Sequence, residues 1–207
     1  MALTVSAQKI FMTGDSHVSI KKYPTRVGEL LAERVPQARF DFWGIGGAGF
    51  YTFIKPQNMA RLTDEKPDVL IVHLGTNDSY AHKFKRDFIQ SNVTEFYNLF
   101  HAACPTTKIV FVTPFYNKNK KNGQWNLNGN TRLCAELLGN FVKTHPGTYL
   151  IDNNSTNGMD FIDNDWIRPD FVHLTDEGYR QLARQVTDAL LDIPGILEVQ
   201  SLPVDPE

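Results

Sequence analysis

Residues 67–78 read Pro67-Asp68-Val69-Leu70-Ile71-Val72-His73-Leu74-Gly75-Thr76-Asn77-Asp78. The stretch from Val69 to Leu74 is apolar save for one histidine. Pro67 and Asp68 stand before it, and a glycine with three polar residues follows. A near-continuous apolar run of this length is a strand buried on both faces, because a half-exposed strand would alternate apolar with polar. Working back, Lys9-Ile10-Phe11-Met12 reads as a short buried strand ending at Gly14. Pro24 then opens an amphipathic helix with Val27, Leu30, Leu31 and Val35 at helical spacing, and Ala38 to Trp43 is a second strand running into a glycine cluster. Working forward, a long helix is expected from about Phe84 to Ala103, with Phe88, Val93, Phe96 and Phe100 near its buried face. Lys108–Thr113 is a fourth strand, followed by a polar loop from Asn117 to Gly129. A helix from about Asn130 to Lys143, a fifth strand at Thr148–Ile151 and a last helix from near Thr175 to about Leu191 complete the series. Buried strands alternating with helices, joined by right-handed crossovers, predict an α/β protein: a three-layer α/β/α sandwich around a parallel sheet of about five strands.

The chain has 207 residues, of which 42% are hydrophobic and 21% charged, enough for one domain over residues 1–207 with a sizeable core. The segment 194–207 carries Pro203, Pro206 and few apolar residues and is expected to be a peripheral tail. Lys plus Arg is 21, Asp plus Glu is 23, and the net charge of −2 comes with no basic run. A phosphate-neutralising face for nucleic acid is therefore not expected. No apolar run approaches the roughly 20 residues of a membrane span. The first ten residues lack the basic and apolar regions of a signal peptide. The sequence fits a periplasmic or secreted protein after signal removal as well as a cytoplasmic one, and nothing in it specifies the oligomeric state. Cys104 and Cys134 form no C-x-x-C. They read as two half-buried thiols, with a single disulfide open to an exported protein.

Ligands of such sheets bind beyond the carboxyl ends of the strands. The first strand leads into Thr13-Gly14-Asp15-Ser16-His17, the second into Gly44-Ile45-Gly46-Gly47-Ala48-Gly49, and the third into Gly75-Thr76-Asn77-Asp78. Asp170-Phe171-Val172-His173 follows the fifth and precedes the last helix. All four segments are expected on one edge. Acyl transfer needs a nucleophile, a base, a group to orient the base, and donors for the oxyanion. Ser16 offers the hydroxyl, His173 the base and Asp170 the orienting carboxylate. The Ser16 backbone N–H, an N–H at Gly47 and the Asn77 side-chain amide are candidate oxyanion donors.

These four blocks, in this order and each at a strand end, resemble those of the SGNH (GDSL-type) hydrolase family. Gly14-Asp15-Ser16, the glycine cluster around Gly47, Gly75-Thr76-Asn77-Asp78 and Asp170-x-x-His173 carry the likeness. The resemblance implies a flavodoxin-like α/β/α fold and a metal-independent esterase or lipase that needs no cofactor. It implies Ser16, Asp170 and His173 as the triad and Ser16, Gly47 and Asn77 as the oxyanion hole. Gly14-Asp15-Ser16-His17 and Trp43-Gly44-Ile45-Gly46-Gly47-Ala48 look like the subgroup of peptidoglycan and carbohydrate O-acetylesterases, which implies a small-molecule or glycan ester as substrate. The chain departs from that subgroup in having no room for an inserted β-sandwich module. An asparagine is also commoner where Gly46 stands, which leaves open whether Gly46 or Gly47 supplies the backbone amide. An acyl thioesterase or lysophospholipase on the same scaffold, and a catalytically idle carbohydrate-binding protein, are the competing functions.

Other features read more plainly. His17 is expected to be structural or a pocket rim, and His73 a satisfied core histidine. His82, His101 and His145 are expected to be solvated. Asp170 and His173 could also form a capping turn before Thr175. Gly44-x-Gly46-x-x-Gly49 matches a dinucleotide fingerprint formally, but it follows the second strand and Pro56 interrupts the segment after it. Asp152–Gly158 is a turn-rich loop rather than a calcium loop, since no Glu stands at the twelfth position. Phe115, Tyr116, Trp125 and Trp166 are candidate walls for a sugar ring, with buried anchors as the alternative. No metal-ligand motif is present.

Overall fold

Five strands, β1 (Lys9–Gly14), β2 (Arg39–Gly44), β3 (Val69–His73), β4 (Lys108–Val112) and β5 (Thr148–Ile151), pair in parallel in the order β2-β1-β3-β4-β5. The computed structural model describes residues 7–80, 85–115, 127–154, 166–170 and 172–197. Among the described residues, eight helices connect and follow the strands: α1 (Ser16–Ser19), α2 (Lys22–Arg34), α3 (Phe50–Phe53), α4 (Pro56–Asp64), α5 (Thr76–Tyr80), α6 (Arg86–Ala103), α7 (Leu127–Val142) and α8 (Asp176–Asp192). The register pairs Ile10 with Val69 and Gly14 with His73, so β1 and β3 end side by side. The strand order reverses between these two strands, and the crevice that opens there is where such sheets bind ligands.

Alternate residues of a strand point to opposite faces, so continuous apolar strands feed two cores at once. Ile10, Met12, Val69, Ile71, Val110 and Val112 pack under α2 and α8, with Val27, Leu31, Leu182 and Val186. Phe11, Leu70, Val72, Ile109 and Phe111 pack on the other face, with Phe53 and Leu62 and with Phe96, Phe100 and Leu138 of the longer helices. The α8 stripe Tyr179, Leu182, Ala183, Val186, Leu190 keeps helical spacing and is fully enclosed. No helix among the described residues is long and apolar enough to cross a membrane.

Several expectations change. The segment between β2 and β3, for which the sequence reading names no helix, holds α3 and α4, interrupted at Ile54 and Lys55 just ahead of Pro56. Pro56 stands at the first position of α4, where its missing N–H has no intrahelical partner to lose. Phe88 is 37% exposed, against Tyr51, and Ile89 takes the inner position on α6. Ile89, Val93, Phe96 and Phe100 recur at four, three and four residues, which places Phe88 off the stripe. Within the expected tail, Ile196 and Leu197 are buried in the core under α8, and the Ile196 carbonyl accepts from Gln8 Nε2 at 2.8 Å. Residues 198–207 lie outside the described residues. Cys104 and Cys134 are both buried and free, not paired.

Candidate active site

The first loop is built for tight contact. A Cβ on Gly14 would stand 2.5 Å from the His73 carbonyl oxygen and from Val18 Cγ2, so only glycine lets α1 turn this close over the end of β3. Asp15 caps α1, its Oδ1 accepting from the His17 N–H at 2.9 Å. Ser16 is therefore the first helical residue. Its own N–H makes no hydrogen bond among the described residues, as the first donors of a helix have no intrahelical acceptor.

His173 comes from the far end of the chain. Ile167 and Leu174 form an antiparallel bridge, and the Arg168 N–H donates to the His173 carbonyl at 2.8 Å. Asp170 ties the turn from within: its Oδ1 accepts from the backbone N–H groups of Val172 and His173, both at 2.9 Å. Its Oδ2 accepts from His173 Nδ1 at 2.8 Å. The Nε2 atom then faces Ser16 Oγ at 3.0 Å, and the hydroxyl donates. The cap of α8 is Thr175, whose Oγ1 accepts from the Gly178 N–H. This separates Asp170 from the capping role weighed for it. Partial burial raises the Asp170 carboxyl, but the two backbone N–H bonds and the imidazole outweigh burial and hold it below the usual carboxylate range.

The second and third loops are clamped together. Asn77 Nδ2 donates to the Ala48 carbonyl at 2.9 Å. The buried Asp78 carboxylate accepts from the Phe50 N–H, at 3.1 and 3.2 Å to its two oxygens. Just ahead of these anchors lies Gly47, at φ 73°, with nothing among the described residues within 4 Å of where a Cβ would stand. Its positive φ favours glycine, and its face is open to a ligand. Gly46 is less open, its Cβ position lying 3.7 Å from Ser19 Oγ. The carboxylate of Asp78 also occupies the start of α3, where a dinucleotide phosphate would have to sit.

Sequence reasoning gave Asp78 no role, although it closes the same block as Asn77. Burial pushes it up to about 6 against the pull of the Phe50 N–H. Burial likewise raises Asp15, to about 7, opposed by the His17 N–H bond. His17 is buried and structural, its Nδ1 3.3 Å from the Tyr179 hydroxyl. His73 is buried as expected, but neither ring nitrogen has a hydrogen-bond partner among the described residues, and burial holds it down to about 4. His145 and His101 are half-buried rather than fully solvated: His145 stacks on Phe141 at 3.7 Å, and Tyr97 stacks on His101 at 5.1 Å. His82 lies outside the described residues.

The aromatic walls fare differently. Phe115 is 6% exposed and sets its edge against His17, so it is a core anchor rather than a platform for a sugar. Trp166 is partly buried against the core under α8, and its carbonyl accepts from the Thr175 N–H. Tyr116 and Trp125 lie outside the described residues, as do Phe171 and most of the loop from Asp152 to Gly158.

Comparison with known proteins agrees with this architecture. Residues 13–181 match the profile of the GDSL-like lipase/acylhydrolase family. No curated protein sequence matches significantly. Among solved structures, a mutant acetyl esterase bound to acetate superposes with a TM-score of 0.71 at 21% identity, over 89% of this chain and 96% of that one. A carbohydrate esterase family 3 member from Talaromyces cellulolyticus gives 0.68 at 20%, over 89% and 96%. An acetyl xylan esterase variant from Geobacillus stearothermophilus gives 0.70 at 18%, over 95% and 98%. At these identities the likeness is one of fold.

Proposed function

The chain belongs to the GDSL-like lipase/acylhydrolase family and is an ester-hydrolysing hydrolase, and from that premise we propose that it is a serine esterase removing short acyl groups, acetyl above all, from hydroxyls of carbohydrate or peptidoglycan. The observation that supports this reading is the hydrogen-bonded series from Ser16 Oγ through His173 to Asp170, at 3.0 and 2.8 Å. The acetyl and sugar preference is supported by what the structural neighbours are named for, acetyl esterase and acetyl xylan esterase.

In the proposed reaction Ser16 Oγ attacks the acyl carbonyl carbon while its proton passes to His173 Nε2. The imidazolium is held by Asp170 through Nδ1–H. The tetrahedral oxyanion takes N–H donors from Ser16, Gly47 and the second Asn77 amide hydrogen. These donors do most where charge develops in the transition state. The intermediate collapses with cleavage of the carbon–oxygen bond to the sugar, and His173 returns its proton to the leaving alkoxide oxygen. A water molecule then gives a proton to His173 as its oxygen attacks the acetyl-enzyme; the carbon–Oγ bond breaks, His173 returns the proton to Ser16 Oγ, and acetic acid leaves and ionises to acetate.

Two measurements test the proposal. Acetate release from acetylated xylan and O-acetylated peptidoglycan, set beside acetyl, butyryl and decanoyl esters of one alcohol, should favour acetyl. A preference for decanoyl would instead make the protein a long-chain acylhydrolase. Ser16→Ala should lower kcat by about 10⁴-fold or more, because members of a triad act as a unit, and should leave the melting temperature near wild type. Wild-type turnover in this variant would refute the serine mechanism.

A further inference from the structure

Ser16 and His173 reach each other from distant parts of the chain. The nucleophile opens α1, and the base ends a bridged turn just ahead of α8. Behind them lies a side chain that the proposed acyl transfer does not use. His17 is fully buried. Its ring centroid lies 5.6 Å from that of His173, and Phe115 packs edge-on at 5.1 Å. Its Nδ1 is 3.3 Å from the hydroxyl of Tyr179, which is itself buried on α8. The Tyr179 N–H donates to the Thr175 carbonyl, two residues beyond the base. One imidazole thus borders the ring of the base and bonds the helix behind it, and its backbone is the next residue after the nucleophile.

We infer that His17 is a positioning residue of the proposed esterase, its hydrogen bond to Tyr179 locking α1 against α8 so that Ser16 Oγ and His173 Nε2 meet at bonding distance. The inference rests on the serine-esterase reading. A core position next to Phe115 would be filled at less cost by an apolar side chain, since a buried imidazole loses its water and regains only what its partners supply. What the imidazole adds is a directional link between the two segments that carry the reacting groups. Burial also keeps His17 uncharged, so it does not oppose the imidazolium that forms on His173. Small errors in such placement are expensive, with a displacement of about 1 Å costing on the order of 10²-fold in rate.

Tyr179→Phe deletes only the hydroxyl, and His17→Phe keeps a ring against Phe115 and His173. Each variant and the double variant would be assayed for kcat and KM on a short acetyl ester. Each would also be assayed for the rate at which a fluorophosphonate labels Ser16. In that labelling Oγ bonds phosphorus, fluoride leaves and His173 takes the proton. Each single change should lower kcat and the labelling rate about tenfold with KM unchanged, and the double variant should fall no further, since both sever one link. Labelling of Tyr179→Phe at the wild-type rate, a lowered melting temperature with kcat intact, or losses that multiply in the double variant would overturn the positioning role alone. Failure of the wild-type protein to label, with Ser16→Ala still active, would overturn the esterase reading and this inference with it.

Discussion

Asn77 has two amide hydrogens, and one of them is engaged with the Ala48 carbonyl at 2.9 Å. The other has no partner among the described residues, so the same residue pins the loop after β2 and, in the proposed reaction, donates to the oxyanion. Asn77→Ala should therefore lower kcat with little change in KM. The loss of one such donor costs roughly 2.7–4 kcal/mol, or about 10²- to 10³-fold in rate. Steady-state kinetics on an acetyl ester checks this; a rise in KM alone would make Asn77 a substrate clamp. The candidate triad was legible at this scale because its chemistry is written in residue type and order: Ser16 after a strand, and Asp170 three residues before His173. The engagement of Asn77 with Ala48 was not legible, since it joins loops 29 residues apart. The burial of Phe115 was hidden for the same reason, because exposure depends on what packs against a side chain and not on its type.

At the scale of elements, the loops after β2 and β3 behave as one unit because Asp78 holds the start of α3. Its carboxyl is pushed from 3.8 up to about 6 by burial, so the folded state binds this proton more tightly than the unfolded chain does. A raised acidic group weakens the fold when ionised: the penalty is complete above about pH 6 and is relieved as pH falls toward 3.8. Asp78→Asn keeps an oxygen for the Phe50 N–H and removes the charge. Urea denaturation at pH 8 should find it more stable than wild type by about 1–3 kcal/mol, less whatever an unpaired amide N–H₂ costs. The advantage should shrink as pH falls to 5. A variant less stable than wild type at pH 8 would mean that the ion–backbone bond outweighs burial. The long elements were readable because their apolar periods persist over several turns. The short helices α1, α3 and α5 have too few residues to show a period, and tertiary contacts specify them. Pro56 does interrupt the segment as its chemistry implies, since α3 ends ahead of it, and the same proline begins α4.

For the whole molecule, two carboxyls and two imidazoles, Asp15, Asp78, His17 and His73, are buried near the ends of β1 and β3, and their pH effects oppose one another. His73 is held down to about 4, and His17 is also lowered, so both stay neutral in the fold while the unfolded chain binds protons below 6.5. Their contribution is present above pH 6.5 and is lost on acidification toward 4. Asp15 and Asp78, raised to about 7 and about 6, contribute the reverse over nearly the same window. His73→Leu removes one side of this balance. Relative to its own difference from wild type at pH 8, it should gain about 2 kcal/mol at pH 5 in urea titrations. A pH-independent difference would show that His73 is not buried neutral. The sequence by itself determined the parallel α/β sandwich, because continuous apolar strands must be covered on both faces. It also determined that the four polar blocks gather at one edge, because each follows a strand carboxyl end. Only the tertiary structure decided the 3.0 Å approach of Ser16 and His173 from opposite ends of the chain, the clamp on Ala48 and Phe50 just after Gly47, and the buried group of Asp15, His17, His73 and Asp78. Those depend on distance and burial between segments remote in sequence, and neither is encoded in local residue pattern.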